Sequence, residues 1–282
     1  MRRLSCLPRI AIGSLIFSVA VALKDTPPPA GAPAQIRQQE DVRDLSPYFH
    51  GLKGAFVLYN KNARTYVRHN VDQCRTRFSP ASTFKILNSL IGLETGIIPD
   101  DQFVITWDSV QRGVPAWNQD HTLRSAIRNS VVWYYQELAR RVGYESMRKY
   151  VDTVQYGNMD ISGGIDHFWL GSTLAISADE QIRFLTRLYI HALPFSLRSI
   201  GNVKDIITLE HTDVYTVRGK TGFSTDSRGL AVGWFVGYVE REGNVYFFAT
   251  NIISNDPKRD AEKILTGRKK FTMDILKSMG LL

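Results

Sequence analysis

The β-rich runs of this chain sit at its two ends, with helix-patterned sequence between them. Near the start, Ala55-Phe56-Val57-Leu58-Tyr59 and Thr65-Tyr66-Val67 flank the turn-forming Asn60-Lys61-Asn62, the pattern of a hairpin. Near the end come 214–219, 230–238 and 245–253, the last two joined by the hairpin turn Arg241-Glu242-Gly243-Asn244. Between these ends, helices are predicted over 82–95, stopped by Gly96 and Pro99, then over 123–142, 146–154 and 177–190. Phe84, Leu87, Leu90 and Ile91 keep helical spacing and mark the first of these as buried. A last helix runs from Pro257 to about Met279. The expected fold is mixed α/β: a central antiparallel β-sheet built from both termini and flanked by helices, with an inserted helical subdomain.

Composition limits how such a fold is held together. Arg2, Arg3 and Arg9 precede an apolar stretch from residue 10 to 23, and Ala20-Val21-Ala22 offers the small residues a signal peptidase reads. That stretch is short for a bilayer core of about 30 Å, so 1–22 reads as an export signal rather than an anchor. Cys6 leaves with it, Cys74 stays alone, and no intramolecular disulfide is available. Stability must come from packing, for which 44% hydrophobic residues suffice. Residues 23–45, with Pro27-Pro28-Pro29 and Pro33, read as an extended polar tether, and the globular part as 46–282. The net charge of +8 is spread thinly, and Arg268-Lys269-Lys270 is the longest basic run, so nucleic acid is not expected as a partner. The six histidines include no pair at metal-ligand spacing, so metal catalysis is not expected either.

Four short pieces carry the chemistry: Ser82-Thr83-Phe84-Lys85, Ser130-Val131-Val132, Tyr156-Gly157-Asn158 and Lys220-Thr221-Gly222. Ser82 and Lys85 stand one helical turn apart and project from one face. Serine is a poor nucleophile until a neighbouring base takes its proton, and a lysine-derived group at that spacing can do so. The spacing alone is weak, since about one such match per chain of this size arises by chance and Ser146-Met147-Arg148-Lys149 is a second copy. Ser-x-Val is common, and Tyr-Gly-Asn is first a tight turn. Lys-Thr-Gly, placed at the end of the strand predicted over 214–219, is far rarer.

The ordered set, with Phe168-Trp169-Leu170, Tyr135-Gln136-Glu137-Leu138 and Gly233-Trp234-Phe235-Val236-Gly237, resembles the class D serine β-lactamases, the oxacillinases, from about Gly54 onward. The related class A and penicillin-binding set has Ser-Asp-Asn where this chain has Ser130-Val131-Val132. The resemblance implies hydrolysis of β-lactam antibiotics through an acyl group on Ser82, with Ser130 passing a proton to the lactam nitrogen. It implies an oxyanion hole from the Ser82 and Phe223 N–H groups. Lys220, Thr221, Gly222 and Arg268 would bind the substrate carboxylate. Lys85 would carry CO2 as an N6-carboxylysine, the general base, in a pocket containing Phe84, Val132, Phe168 and Trp169, with the Trp169 indole N–H as a donor. No other cofactor is implied. The expected product is a bacterial periplasmic enzyme, monomer or homodimer, with no stable membrane partner once the signal is removed. Two alternatives share these motifs: a penicillin-binding peptidase or transpeptidase, and a β-lactam sensor domain that is acylated and stays so. Such sensors place a similar domain behind several membrane spans and a protease domain, for which this sequence shows no room.

Overall fold

The structure, a computed structural model, describes residues 39–226 and 228–282. The predicted export signal and most of the predicted tether lie outside them. Three strands open the fold, β1 (Glu40–Val42), β2 (Lys53–Asn60) and β3 (Thr65–His69), and a short helix α1 (Val71–Arg75) follows. The intervening helices are α2 (Lys85–Glu94), α3 (Leu123–Arg128), α4 (Val132–Val142), α5 (Tyr144–Val154), α6 (Ala178–Tyr189) and α7 (Leu197–Ile206). A two-stranded ribbon, Val104–Ile105 with His121–Thr122 (β4 and β5), lies ahead of α3. The chain closes with β6 (Thr208–His211), β7 (Tyr215–Thr225), β8 (Ala231–Arg241), β9 (Asn244–Ser254) and α8 (Pro257–Ser278).

One seven-stranded sheet, in the order β1-β3-β2-β9-β8-β7-β6, joins the two ends as expected. The junction is β2 against β9, antiparallel from Lys53–Ile253 to Asn60–Tyr246. Strand periodicity feeds two cores. On β8, Val232, Trp234, Val236 and Tyr238 enter the core under the helical subdomain, while Phe235 and Val239 enter a second core under α8. α2 is buried along its length and packs on α4 and α7. A buried central helix gives side chains at its start little freedom, which is how this fold fixes Lys85.

Three expectations are corrected. The ordered chain starts before residue 46: β1 pairs parallel with β3, and Arg43 N–H donates to the Arg68 carbonyl at 2.8 Å. β1 is wholly exposed and held through its backbone, so its polar residues gave no hint of it. β7 continues past residue 219, so Lys220-Thr221-Gly222 lies within the strand rather than at its end. The helix predicted over 123–142 is two helices. Ser130 takes φ +55, its N–H returns to the Ile127 carbonyl, and Val131 N–H returns to the Ala126 carbonyl. These are the two bonds of a Schellman ending, with serine at the left-handed position that usually selects glycine.

Holding a serine there costs about 1 kcal/mol of conformational free energy. Ser130→Gly is therefore expected to be about 1 kcal/mol more stable than Ser130→Ala in urea unfolding, although both lose the hydroxyl. Equal stabilities would mean that the left-handed turn carries no strain.

Candidate active site

The turn before α2 is set by its neighbours. Pro80 leads into a 3-10 turn, Ala81–Phe84, that runs directly into α2. Thr83 ties it down, donating to the Pro80 carbonyl from its N–H at 3.1 Å and its hydroxyl at 2.7 Å. Ala81 is held at φ +48 immediately before Ser82, a conformation alanine rarely adopts. β7 runs close against this turn because residue 222 is glycine: a Cβ there would lie 3.0 Å from the Pro80 carbonyl oxygen and 3.2 Å from Thr83 Cγ2. That approach brings the Lys-Thr-Gly strand beside Ser82.

Lys85, first residue of α2, has no exposed surface. Its Nζ donates to Ser82 Oγ at 2.8 Å, to the Ser130 carbonyl at 2.8 Å and to Ser130 Oγ at 3.1 Å. From the other side, Lys220 Nζ donates to the same Ser130 Oγ at 3.1 Å and to the Thr221 carbonyl at 3.0 Å. The Ser130 hydroxyl thus bridges two amines. Burial, and then the neighbouring Lys220, holds the Lys85 amine well below the ordinary lysine range. Burial, and then Arg268, lowers Lys220 to about 7.

The Lys85 amine lies 5.4 Å from the centre of the Tyr135 ring, and an aromatic cluster forms around Phe84, the residue before it. Phe84 stacks on Trp169 with ring centroids 5.4 Å apart, and meets Phe168 and Tyr156 edge-on at 5.0 and 5.6 Å. Trp169 is fully buried, and its Nε1–H has no hydrogen-bond partner among the described residues. A buried donor left unpaired costs about 1–3 kcal/mol, so this N–H is free for an oxygen acceptor. On α8, Arg268 is half-buried, with Nε and Nη1 also unpartnered, whereas Lys269 and Lys270 are exposed. Burial lowers its guanidinium to about 10. A cleft of about 430 Å³ opens beside Lys220 and Thr221, walled by Ile127, Arg128, Ile207 and Lys269.

A serine, a buried amine and a lysine-bearing strand thus meet at one point of a fold that known proteins share. Residues 54–275 match the penicillin binding protein transpeptidase domain. The chain is 39% identical to Beta-lactamase OXA-48 of Klebsiella pneumoniae, covering 95% of this chain and 97% of that one. It superposes with a TM-score of 0.79, at 45% identity, on the crystal structure of the class D β-lactamase YbXI from Nostoc, covering 85% of this chain and 99% of that one. The chain belongs to the class D β-lactamases. A further relative, Regulatory protein BlaR1 of Bacillus licheniformis, is 40% identical over 75% of this chain but only 35% of its own length.

In this class D β-lactamase, Ser82, Lys85, Ser130 and Lys220 are joined by direct hydrogen bonds. Thr221 and Gly222 adjoin them on β7. Phe223 pairs with Gly233 across the sheet and turns its side chain towards the α8 core. Ser82 lies in the leading turn of a helix, where N–H groups lack intrahelical partners. Tyr156-Gly157-Asn158 forms the expected turn. The Asn158 side chain accepts from Ala175 N–H at 2.9 Å and donates to the Thr173 carbonyl at 2.8 Å, while Tyr156 packs behind Phe84. Val132 opens α4 half-buried, and Val131 beside it is the fully buried valine of the motif. The second Ser-x-x-Lys copy lies on α5 with Lys149 exposed, so its amine keeps water. Sequence reasoning missed Ser79, a buried serine three residues before Ser82 that contacts the Trp169 loop. Serine before proline carries no signal that could have marked it.

Proposed function

We propose that this enzyme hydrolyses β-lactam antibiotics through an acyl group carried on Ser82 Oγ, with CO2-carboxylated Lys85 as the base. The observations that carry the reading are a fully buried amine 2.8 Å from Ser82 Oγ and, in the aromatic cluster around the adjoining Phe84, a buried indole donor left unpaired. A neutral amine is the form that captures CO2, and burial favours it. Carboxylated, Lys85 would supply an anion able to take the proton of Ser82 and, later, of the hydrolytic water, with Trp169 Nε1 as a donor to hold it.

The remaining residues have roles that follow from position. Ser82 Oγ forms the ester as the lactam C–N bond breaks, and the leaving nitrogen takes the Ser130 hydroxyl proton. Ser130 can pass protons because it touches both amines. The N–H groups of Ser82 and Phe223 face the developing oxyanion. Lys220, Thr221 and Arg268 meet the substrate carboxylate, and the unpaired Arg268 donors support that assignment. Arg268→Leu is expected to raise KM about tenfold with little change in kcat. KM of the unaltered enzyme should also climb as pH rises through about 7, where Lys220 loses its charge. A KM flat from pH 6 to 9 would exclude Lys220 from carboxylate binding.

We also take residues 1–22 as an export signal, the stretch from 23 to the start of β1 as a tether and the periplasm as the working compartment; among the described residues no helix is long and apolar enough to cross a membrane. The match to a regulatory protein favours a second reading, in which the domain is acylated and holds the acyl group. Mixing purified protein with excess chromogenic cephalosporin separates the two. Sustained turnover, raised by bicarbonate, supports the hydrolase; a single stoichiometric burst supports the regulator.

A further inference from the structure

The Trp169 loop is fastened to the nucleophile segment by one side chain that no motif contains. Ser79 is buried; its hydroxyl donates to the Trp169 carbonyl at 3.1 Å and accepts from the Gly171 N–H at 2.9 Å. Its own carbonyl accepts from Trp234 Nε1 at 2.8 Å, and Ser224 Oγ lies 3.4 Å from its Oγ. Next to it, Phe78 and Ile176 exchange both backbone hydrogen bonds, at 3.0 and 2.8 Å. The loop is also pressed against the end of β7. Gly171 sits at φ +88, and a Cβ there would lie 2.4 Å from the Thr225 carbonyl oxygen. One hydroxyl therefore grips the loop at two backbone atoms astride Leu170, three residues before Ser82.

We propose that Ser79 is a positioning residue for the carboxylation of Lys85: it fixes the Trp169 backbone, and so the indole N–H, relative to the lysine. The inference rests on the carbamate reading above. The indole ring is held by the stack on Phe84, the edge contact with Phe168 and, through its backbone, the clamp by Ser79. The stack limits tilt but leaves sliding within the ring plane open, because face-to-face aromatic contact is tolerant of offset. Any such shift carries Nε1 with the ring. The clamp restricts that freedom, and at metal sites, where the same logic applies, losing a residue that orients a ligand typically alters metal affinity about 10–100-fold.

The test titrates purified enzyme with 13C-bicarbonate and reads the lysine carbamate signal by NMR, with thermal melting recorded in parallel. Ser79→Ala is expected to melt cooperatively yet need about tenfold more bicarbonate for half-loading. Its kcat should be low in CO2-depleted buffer and recover with bicarbonate, while KM stays unchanged. Ser79→Cys keeps a donor, weaker and somewhat bulkier, and should fall between wild type and Ser79→Ala. It also serves as the decisive variant if Ser79→Ala does not fold. Half-loading within twofold of wild type in a folded variant overturns the role of Ser79. A wild-type enzyme with no carbamate signal at saturating bicarbonate overturns the Lys85 reading, and this inference with it.

Discussion

Lys85→Met is expected to lower β-lactam turnover about 10,000-fold and, at neutral pH, to make the protein more stable. Both effects come from one fact, a buried amine without an anionic partner among the described residues. The loss of turnover follows because Ser82 and the hydrolytic water would lack a base. The gain in stability follows from linkage. The folded-state pKa of Lys85 is depressed, whereas in the unfolded chain it returns to about 10.4. Between those two values the unfolded state binds more protons, so stability rises with pH across that window. Lys85 thus opposes folding most strongly at low pH, and the opposition fades as pH approaches about 10.4. Methionine removes it and fills the same apolar space. Urea unfolding of both proteins in CO2-free buffer at pH 7 and pH 10 tests this, the expected stability gap being wider at pH 7. A variant less stable than wild type at pH 7 would mean that the amine is paired and charged in the fold.

How far such a site can be read from a sequence depends on what sets each part of it. The sheet was legible because β2, β8 and β9 alternate their apolar residues between two cores, and alternation is written in the chain. β1 was not, because an edge strand needs only backbone partners, and Glu40–Val42 offers no apolar face. The break between α3 and α4 was hidden because Ser130 occupies a position that glycine would have advertised. α7 was missed because its N-cap Ser196 follows Pro194-Phe195, Gly201 interrupts its interior, and much of its definition comes from Glu94 accepting from Ser196 and Ser199. The site divides the same way. The Ser82–Lys85 pair is a spacing, yet Ser146 and Lys149 have that spacing on a helix where Lys149 is exposed. Burial separates the two, and burial is a property of the whole fold. Ser79 lies further still from view, since its meaning comes from a loop ninety positions away.

Trp169→Phe separates the indole donor from the ring that carries it. Phenylalanine keeps a flat face for Phe84 and an edge for Phe168 but loses the N–H together with part of the ring, so bicarbonate rescue is what tells the lost donor from the small cavity. Turnover at ambient CO2 is expected to fall about 100-fold and to recover with added bicarbonate, because the amine remains while its hold on the captured group weakens. The pH profile gives a second readout. Protonating Lys85 removes the nucleophilic amine, so activity is kept above the depressed pKa and lost as pH falls through it. Without the indole donor the captured group is released more readily, and the acid limb should move to higher pH. Steady-state rates from pH 5 to 9, with and without bicarbonate, would reveal both changes. A variant as slow as predicted but indifferent to bicarbonate would place Trp169 in packing alone. The buried N–H would then remain an unpaired donor with no compensating role, a deficit of about 1–3 kcal/mol that the fold would have to absorb elsewhere.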